Sequence, residues 1–268
     1  MTLWLAALLG IVQGLTEFLP VSSTAHLRVV PALFGRPDPG AAFTAVLQLG
    51  SLAAVIAYFA RDLVEVTGAM VRAPGTPEGR LPWLLAVGTL PIVIAGLSLK
   101  KYIEGDLRAL YVVALALVVV GIAMWLIDHY VQQRSGHRSW STITLNDAIL
   151  VGLAQTLALI PGVSRSGATI CMALLLGFAR TDAARLSFLL AIPAIGGAGL
   201  YEARGAFAKF GMAQLAVGTA TSAVASYASI AWLLRWLGSH QLVGFAVYRI
   251  AAGLALLAAI AAGYLRGV

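Results

Sequence analysis

Gln13 and Glu17 stand four residues apart in the stretch QGLTEFLPVSSTAHLR, residues 13–28. On a helix that spacing puts both side chains on one face. A proline follows at position 20, then Ser22, Ser23, Thr24 and His26. The set offers a carboxylate to take a proton, hydroxyls to attack or donate, and an imidazole. Ser22 or Ser23 is placed to cap a helix starting near Thr24, with His26 in its first turn. Free N–H groups at such a helix start bind anions, phosphate above all. Glu17 and Gln13 also supply the oxygen ligands that hard cations such as Mg²⁺ or Ca²⁺ prefer.

A second stretch, PGVSRSGAT at 161–169, has the same form with an arginine added. Gly162 and Gly167 let backbone N–H groups approach a ligand closely. Ser164, Ser166 and Thr169 add hydroxyls, and the planar fork of Arg165 suits phosphate oxygens. Together they read as an anion nest. No Gly-Lys-Ser/Thr follows, so this is not a Walker loop, and the G-x-S-x-G spacing of a nucleophile elbow is absent. Each stretch alone also admits a plainer reading: a headgroup-level carboxylate and histidine, simple helix capping, or an arginine snorkelling to an interface. Taken together they suit a phosphorylated, membrane-embedded substrate in one shared cavity.

The elements that must position these groups are apolar. Of 268 residues 60% are hydrophobic and only 11% charged, and the mean hydropathy is +0.90. That composition excludes an ordinary soluble domain and points to an all-α polytopic membrane protein. The runs are solidly apolar, without the alternation of barrel strands. The net charge of +7 lies mostly between the runs, as membrane flanks do, and does not call for nucleic acid. One cysteine, Cys171, permits no intramolecular disulfide. The first segment lacks a basic leader and a small-residue cleavage site, so it reads as part of the mature protein.

Spans are expected at 41–60, 81–99, 109–127, 214–237 and 242–265, with helical runs at 168–179 and 184–201. A charged segment at 61–80 reads as a loop with a surface helix, and a polar, Pro-rich stretch reaches to about residue 40. Residues 3–19 and 148–161 are short for a span, and each ends at a proline, Pro20 or Pro161. An expected single membrane domain, 1–268, then divides into halves 1–127 and 148–268 joined by a polar connection at 128–147. Set over one another, the two short segments match Gly10 to Gly152, Gln13 to Gln155, Val21 to Val163, Ser22 to Ser164 and Thr24 to Ser166. Paired, interrupted apolar segments in corresponding positions point to a site between membrane repeats. A carboxylate inside such a segment is a functional hypothesis by default.

These residues resemble the undecaprenyl-diphosphatase family, also called the bacitracin-resistance family. Its first signature, a Glu/Gln-x-x-x-Glu pair running into P-V-S-S-T-x-H, stands here as QGLTEFLPVSSTAH. Its second stands here as PGVSRSGAT, and the likeness extends to QLGS at 48–51, FLLAIP at 188–193 and YR at 248–249. The resemblance implies hydrolysis of a C55 polyprenyl diphosphate to the monophosphate, which recycles the lipid carrier of peptidoglycan and other wall polymers. It implies six spanning helices plus two re-entrant helix pairs in an inverted repeat, a site open to the outer face of the bacterial cytoplasmic membrane, and a divalent cation. Gln13 falls within the family's Glu/Gln range and lowers the local negative charge.

The expected chemistry is in-line attack on the terminal phosphorus, driven mainly by positioning and charge neutralisation. Arg165 and the N–H groups of the 164–169 turn would hold nonbridging oxygens, with Ser22, Thr24, Ser164, Ser166, Gly167 and Thr169 as further phosphate-binding groups. A Mg²⁺ or Ca²⁺ ion would bridge Gln13, Glu17 and the diphosphate. Ser23, activated by Glu17 or His26, is the first choice of nucleophile. His26 itself is the second and an activated water the third. The partners expected are the polyprenyl diphosphate, membrane lipids and, as a further arrangement, a second copy in a homodimer. The rival reading is an undecaprenyl-phosphate flippase or an anion transporter on the same architecture, since fold alone does not choose a function.

Overall fold

The computed structural model describes residues 1–133 and 137–265. Their regular structure is helical, apart from one isolated bridge between Arg138 and Phe178. In chain order the helices are α1 (Leu3–Glu17), α2 (Ser23–Leu33), α3 (Gly40–Tyr58), α4 (Ala60–Arg72), α5 (Pro77–Ser98), α6 (Lys100–Glu104), α7 (Leu110–Gln132), α8 (Leu145–Thr156), α9 (Arg165–Leu175), α10 (Arg180–Phe207), α11 (Met212–Leu237) and α12 (Val243–Ala261). Among the described residues six of these, α3, α5, α7, α10, α11 and α12, are long and apolar enough to cross a membrane. Large apolar side chains such as Trp83, Ile94, Val119, Val224 and Val247 face outward, which only a lipid surround accommodates on this scale.

Boundaries differ from the sequence expectation where local chemistry intervenes. The Pro-rich stretch before residue 40 contains α2, which runs through Pro31. α5 starts early, at Pro77, because Thr76 caps it by accepting from the Gly79 N–H at 3.2 Å with proline at the first helical position. α7 runs on to Gln132 and carries Asp128 with it. Of the connection expected at 128–147, residues 134–136 lie outside the described residues. α8 opens on a capping box, in which Thr144 accepts from the Asp147 N–H and Asp147 from the Thr144 N–H.

Ion pairs tie the helix ends together. At one end Asp38, in the α2–α3 connection, accepts from Arg28 at 2.9 Å and from Arg108 at 2.5 Å. Burial alone would raise the Asp38 carboxyl, but the Gly40 N–H, Arg108 and Arg28 hold it below the usual carboxylate range. Its contribution is therefore complete above the ordinary aspartate value and is lost as pH falls through the lower, folded one. At the other end Arg185 pairs with Asp62 at 2.5 Å and Arg138 with Asp147 at 2.6 Å. The fully buried Asp128 takes Arg180 at 2.7 Å and the Leu242 N–H at 2.7 Å.

Between the ends, α3 packs between α10 and α11, α7 lies along α12, α1 along α11, and α8 along α5. Several of these contacts bring backbone against backbone. A Cβ added to Gly10 would overlap the Gly218 carbonyl of α11, and one added to Gly152 would overlap the Gly88 carbonyl of α5. Small residues let membrane helices approach this closely. Gly152→Leu should therefore destabilise the fold by at least about 1–3 kcal/mol, the usual cost of overpacking. Gly68, with open space around its Cβ position, is the control. Thermal unfolding of both variants in detergent checks this, and an unchanged midpoint for Gly152→Leu would rule out the tight crossing.

Candidate active site

α1 ends at Glu17 and α8 at Thr156, each followed by a turn that leads through a proline into another short helix. In both turns the residue before the next helix takes a left-handed conformation that non-glycine residues rarely adopt: Ser22 and Ser164 each have φ of +74°. Such strain is held only where its surroundings over-determine it, and it clusters at functional sites. What holds it here is Arg249 of α12, a fully buried side chain. Its NH1 donates to the Pro20 carbonyl at 3.0 Å, and its NH2 donates to the Gly162 and Val163 carbonyls at 2.8 and 2.9 Å. The turns also touch each other, since the Ser166 hydroxyl donates to the Leu19 carbonyl at 3.0 Å and the Gly162 N–H to Thr24 Oγ1 at 3.4 Å.

The carboxylate of Glu17 gathers the reactive groups. Oε2 accepts from the Ser23 hydroxyl at 2.5 Å and from Gln13 Nε2 at 2.7 Å, while Oε1 accepts from Arg165 NH2 at 2.5 Å. Arg165 NH1 also donates to the Ala191 carbonyl at 3.3 Å. A carboxylate, a hydroxyl and a guanidinium drawn from opposite halves of the chain thus meet at bonding distance, all three largely buried. They open onto a cavity of about 150 Å³, also lined by Ser22, Thr24 and Ser164 on its polar side and by Ile92, Ala194 and Ala198 on its apolar side. The arrangement can bind an anion through Arg165, transfer a proton from Ser23 to Glu17, and seat an apolar chain beside them.

Other residues singled out in the sequence lie elsewhere. Ser166, Gly167 and Thr169 do not line the cavity. The Gly167 N–H is spent on Ser164 Oγ, the cap of α9, at 3.1 Å, and Thr169 faces Ser187 of α10 at 2.7 Å. α2 begins at Ser23, one residue before the expected start. Its N-cap Ser22 makes no side-chain cap bond and contacts Thr24 Oγ1 at 3.0 Å instead. Gln13 sits behind Glu17, fully buried, with its Oε1 unpartnered.

The largest displacement is His26, which the sequence put beside Ser23 and Glu17. Its ring points out of the cavity, Nδ1 donating to the Ser22 carbonyl at 2.7 Å and Nε2 lying 2.6 Å from the Tyr248 hydroxyl. It lines two apolar grooves on the far side of α2. Both ring nitrogens are engaged, and one of them holds the strained residue of the first turn. Arg249 and Gln48, which lines the cavity from α3, were not singled out as site residues. The signal for both was present, as each is a strongly polar residue inside an apolar span.

His26→Asn and Tyr248→Phe should accordingly lower turnover by less than about tenfold and leave its pH profile unshifted. A general base would contribute about 10²–10⁴-fold. Loss of that size in His26→Asn, together with loss of the acid limb of the profile, would return His26 to the chemistry.

Residues 6–255 match the family described as bacitracin resistance protein BacA. Three curated relatives, each named undecaprenyl-diphosphatase, align almost end to end. That of Prosthecochloris aestuarii is 46% identical over 98% of this chain and 99% of its own. That of Myxococcus xanthus is 48% identical over 99% and 91%, and that of Gloeobacter violaceus 49% over 97% and 92%. With the two interrupted segments meeting at Glu17, Ser23 and Arg165, and with matches of this extent, the chain belongs to the bacitracin resistance protein BacA family.

Proposed function

We propose that this protein is an undecaprenyl-diphosphatase, releasing inorganic phosphate from undecaprenyl diphosphate and leaving undecaprenyl phosphate. The observation that carries this reading is the Glu17 carboxylate, bonded at once to a hydroxyl and to a guanidinium in a cavity with one polar and one apolar side. Ser23 Oγ attacks the terminal phosphorus and gives its proton to Glu17. The bond to the bridging oxygen breaks, and the lipid monophosphate departs with the bonding pair. The departing monophosphate takes up the proton held by Glu17. Water then attacks the phosphoserine, giving a proton to the regenerated Glu17 carboxylate. Glu17 returns that proton to Ser23 Oγ as the serine P–O bond breaks and phosphate is freed. Arg165 holds the nonbridging oxygens, and the start of α2, whose Ser23 and Thr24 line the cavity, favours the same negative charge.

A divalent cation fits the donor set in a limited way. Of the two expected ligands, the Glu17 carboxylate lines the cavity, while the unpartnered Gln13 Oε1 is buried behind it. No group of three His, Cys, Asp or Glu residues able to hold a metal occurs among the described residues. Mg²⁺ suits such a site, since it is commonly held by one or two protein oxygens and completed by substrate phosphates and water. When bound, it would neutralise diphosphate charge.

Phosphate release by the purified protein in detergent, where no membrane can be crossed, separates this reading from transport. Glu17→Gln should cost about 10²-fold or more, and Ser23→Ala should be at least as severe. Labelled protein trapped during turnover should carry an acid-stable phosphate. Acid-labile label would implicate a histidine, and absence of label would indicate direct attack by water.

We further read α1–α2 and α8–α9 as re-entrant pairs of an inverted repeat. Ser22 and Ser164 are 142 residues apart, and the same shift carries α2 onto α9 and carries α1 onto α8 with its following 3-10 turn. Partners exchange in step, α1 lying on α11 where α8 lies on α5. The cavity reaches toward the end that holds the Asp38 cluster, since Ile92 and Ala198 lie in the halves of α5 and α10 nearest that end. We place that end at the outer face of the bacterial cytoplasmic membrane. Arg36→Cys, in the same connection as Asp38, should then react with a membrane-impermeant thiol reagent in intact cells, while the buried Cys171 stays silent. Labelling only after permeabilisation would invert the assignment.

A further inference from the structure

Gln48 lies in the middle of α3, inside the apolar run AAFTAVLQLGSLAAVIAYFA. A strongly polar side chain there is costly in lipid and tends to face the protein interior or a watery cavity. It does line the cavity that holds Glu17, Ser23 and Arg165. Unlike Gln13, whose amide bonds Glu17, Gln48 has no hydrogen-bond partner among the described residues. The neighbouring polar residue of α3, Ser51, is engaged, lying 3.1 and 2.8 Å from the hydroxyls of Ser222 and Ser226. Gln48 is thus the free amide on that helix, held at the cavity wall.

Its place on the wall suggests what it meets. The polar lining comes from the two turns and carries Glu17, Ser23 and Arg165, which claim the terminal phosphate. Gln48 enters from α3, whose Leu49 and Leu52 lie against Gly199 and Gly196 of α10, in the segment that supplies Ala194 and Ala198. A diphosphate whose terminal group sits on Arg165 and whose isoprenoid leaves along the alanines brings its inner phosphate between them. The inner phosphate is also the leaving group, so it gains negative charge as the bridging bond breaks. A neutral amide N–H donor there stabilises that charge without adding a fixed ion to the cavity.

We infer that Gln48 is a substrate-binding residue that donates to the lipid-linked phosphate, and so recognises both the substrate and the lipid monophosphate product. This inference rests on the phosphatase reading above. Gln48→Met keeps the length and helix propensity of the side chain and removes the amide. Its kcat/KM for undecaprenyl diphosphate should fall by about tenfold or more, the usual weight of a hydrogen bond to a charged group. Inhibition by added undecaprenyl phosphate should weaken by a similar factor, while inhibition by inorganic phosphate stays at the wild-type level. Thermal unfolding in detergent should be unchanged, which a packing role would not allow.

Gln48→Glu preserves shape and hydrogen-bonding reach and sets a carboxylate against the phosphate, so it should lose more than Gln48→Met. Wild-type kinetics in Gln48→Met, or undiminished inhibition of Gln48→Glu by undecaprenyl phosphate, would overturn the inference while leaving the phosphatase reading intact. Weakened inhibition by inorganic phosphate instead would place the amide on the terminal group and overturn it equally. A wild-type protein that releases no phosphate from undecaprenyl diphosphate would overturn both.

Discussion

Arg249 is the contact on which the rest of the site depends. Two chain segments stop being helical inside the protein, and each leaves carbonyls without a helical donor. Buried non-helical backbone is tolerated only when protein or a cavity satisfies it. One guanidinium does so for both segments, reaching Pro20 on one side and Gly162 and Val163 on the other. The relation is reciprocal, because a buried cation is itself unfavourable unless carbonyl dipoles surround it. With the carbonyls fixed, Ser22 and Ser164 keep their left-handed conformations. Ser23 and Arg165, the residues that follow them, are thereby aimed into one space.

The ion pair between Glu17 and Arg165 has a different character. It joins side chains 148 residues apart, yet its partners are not committed to each other alone. Glu17 also accepts from Ser23 and Gln13, and Arg165 also donates to Ala191. An anion entering the cavity competes with Glu17 for the guanidinium. On the proposed function, the hydrogen bond from Ser23 to the carboxylate then persists while the guanidinium turns to the anion, so one arginine links anion binding to the serine–carboxylate pair.

Much of this was legible in the residues themselves. Short apolar segments ending at Pro20 and Pro161, and the pairing of the stretches around Glu17 and Arg165, located the two turns and the groups that meet between them. Facing directions were not legible. In a membrane protein the core and the lipid are equally apolar, so hydrophobic periodicity does not say which side of a span looks inward. Gln48 and Arg249 therefore stood only within the likeness segments QLGS and YR and were given no role, although their polarity inside apolar runs marked them. His26 was misplaced for another reason. The direction taken by α2 is set by the left-handed residue before it, and only that turn shows that Ser23 faces Glu17 while His26, three residues on, faces Tyr248. The capped amide of Gly167 was hidden in the same way, since a Gly-rich loop looks identical whether its N–H groups are free or already spent.

On the repeat reading proposed above, the matched turns also carry a history. The shift of 142 residues that sets Ser22 on Ser164 sets Glu17 on Leu159 and Ser23 on Arg165. Acid and alcohol occur in one copy, and their counterparts in the other are a hydrocarbon and a cation. Two identical subunits packed as an antiparallel pair would place the same groups on both sides of a twofold axis. A single phosphorus on that axis would face two acids and two alcohols but no arginine, or two arginines but no acid. Fusing the genes of such a pair removes the symmetry requirement and frees each copy to specialise. On the repeat reading, the polar connection between the halves is the scar of that fusion, and the unpartnered amide of Gln155, matched to Gln13 but with no carboxylate four residues on, is what remains of the second acid-bearing face.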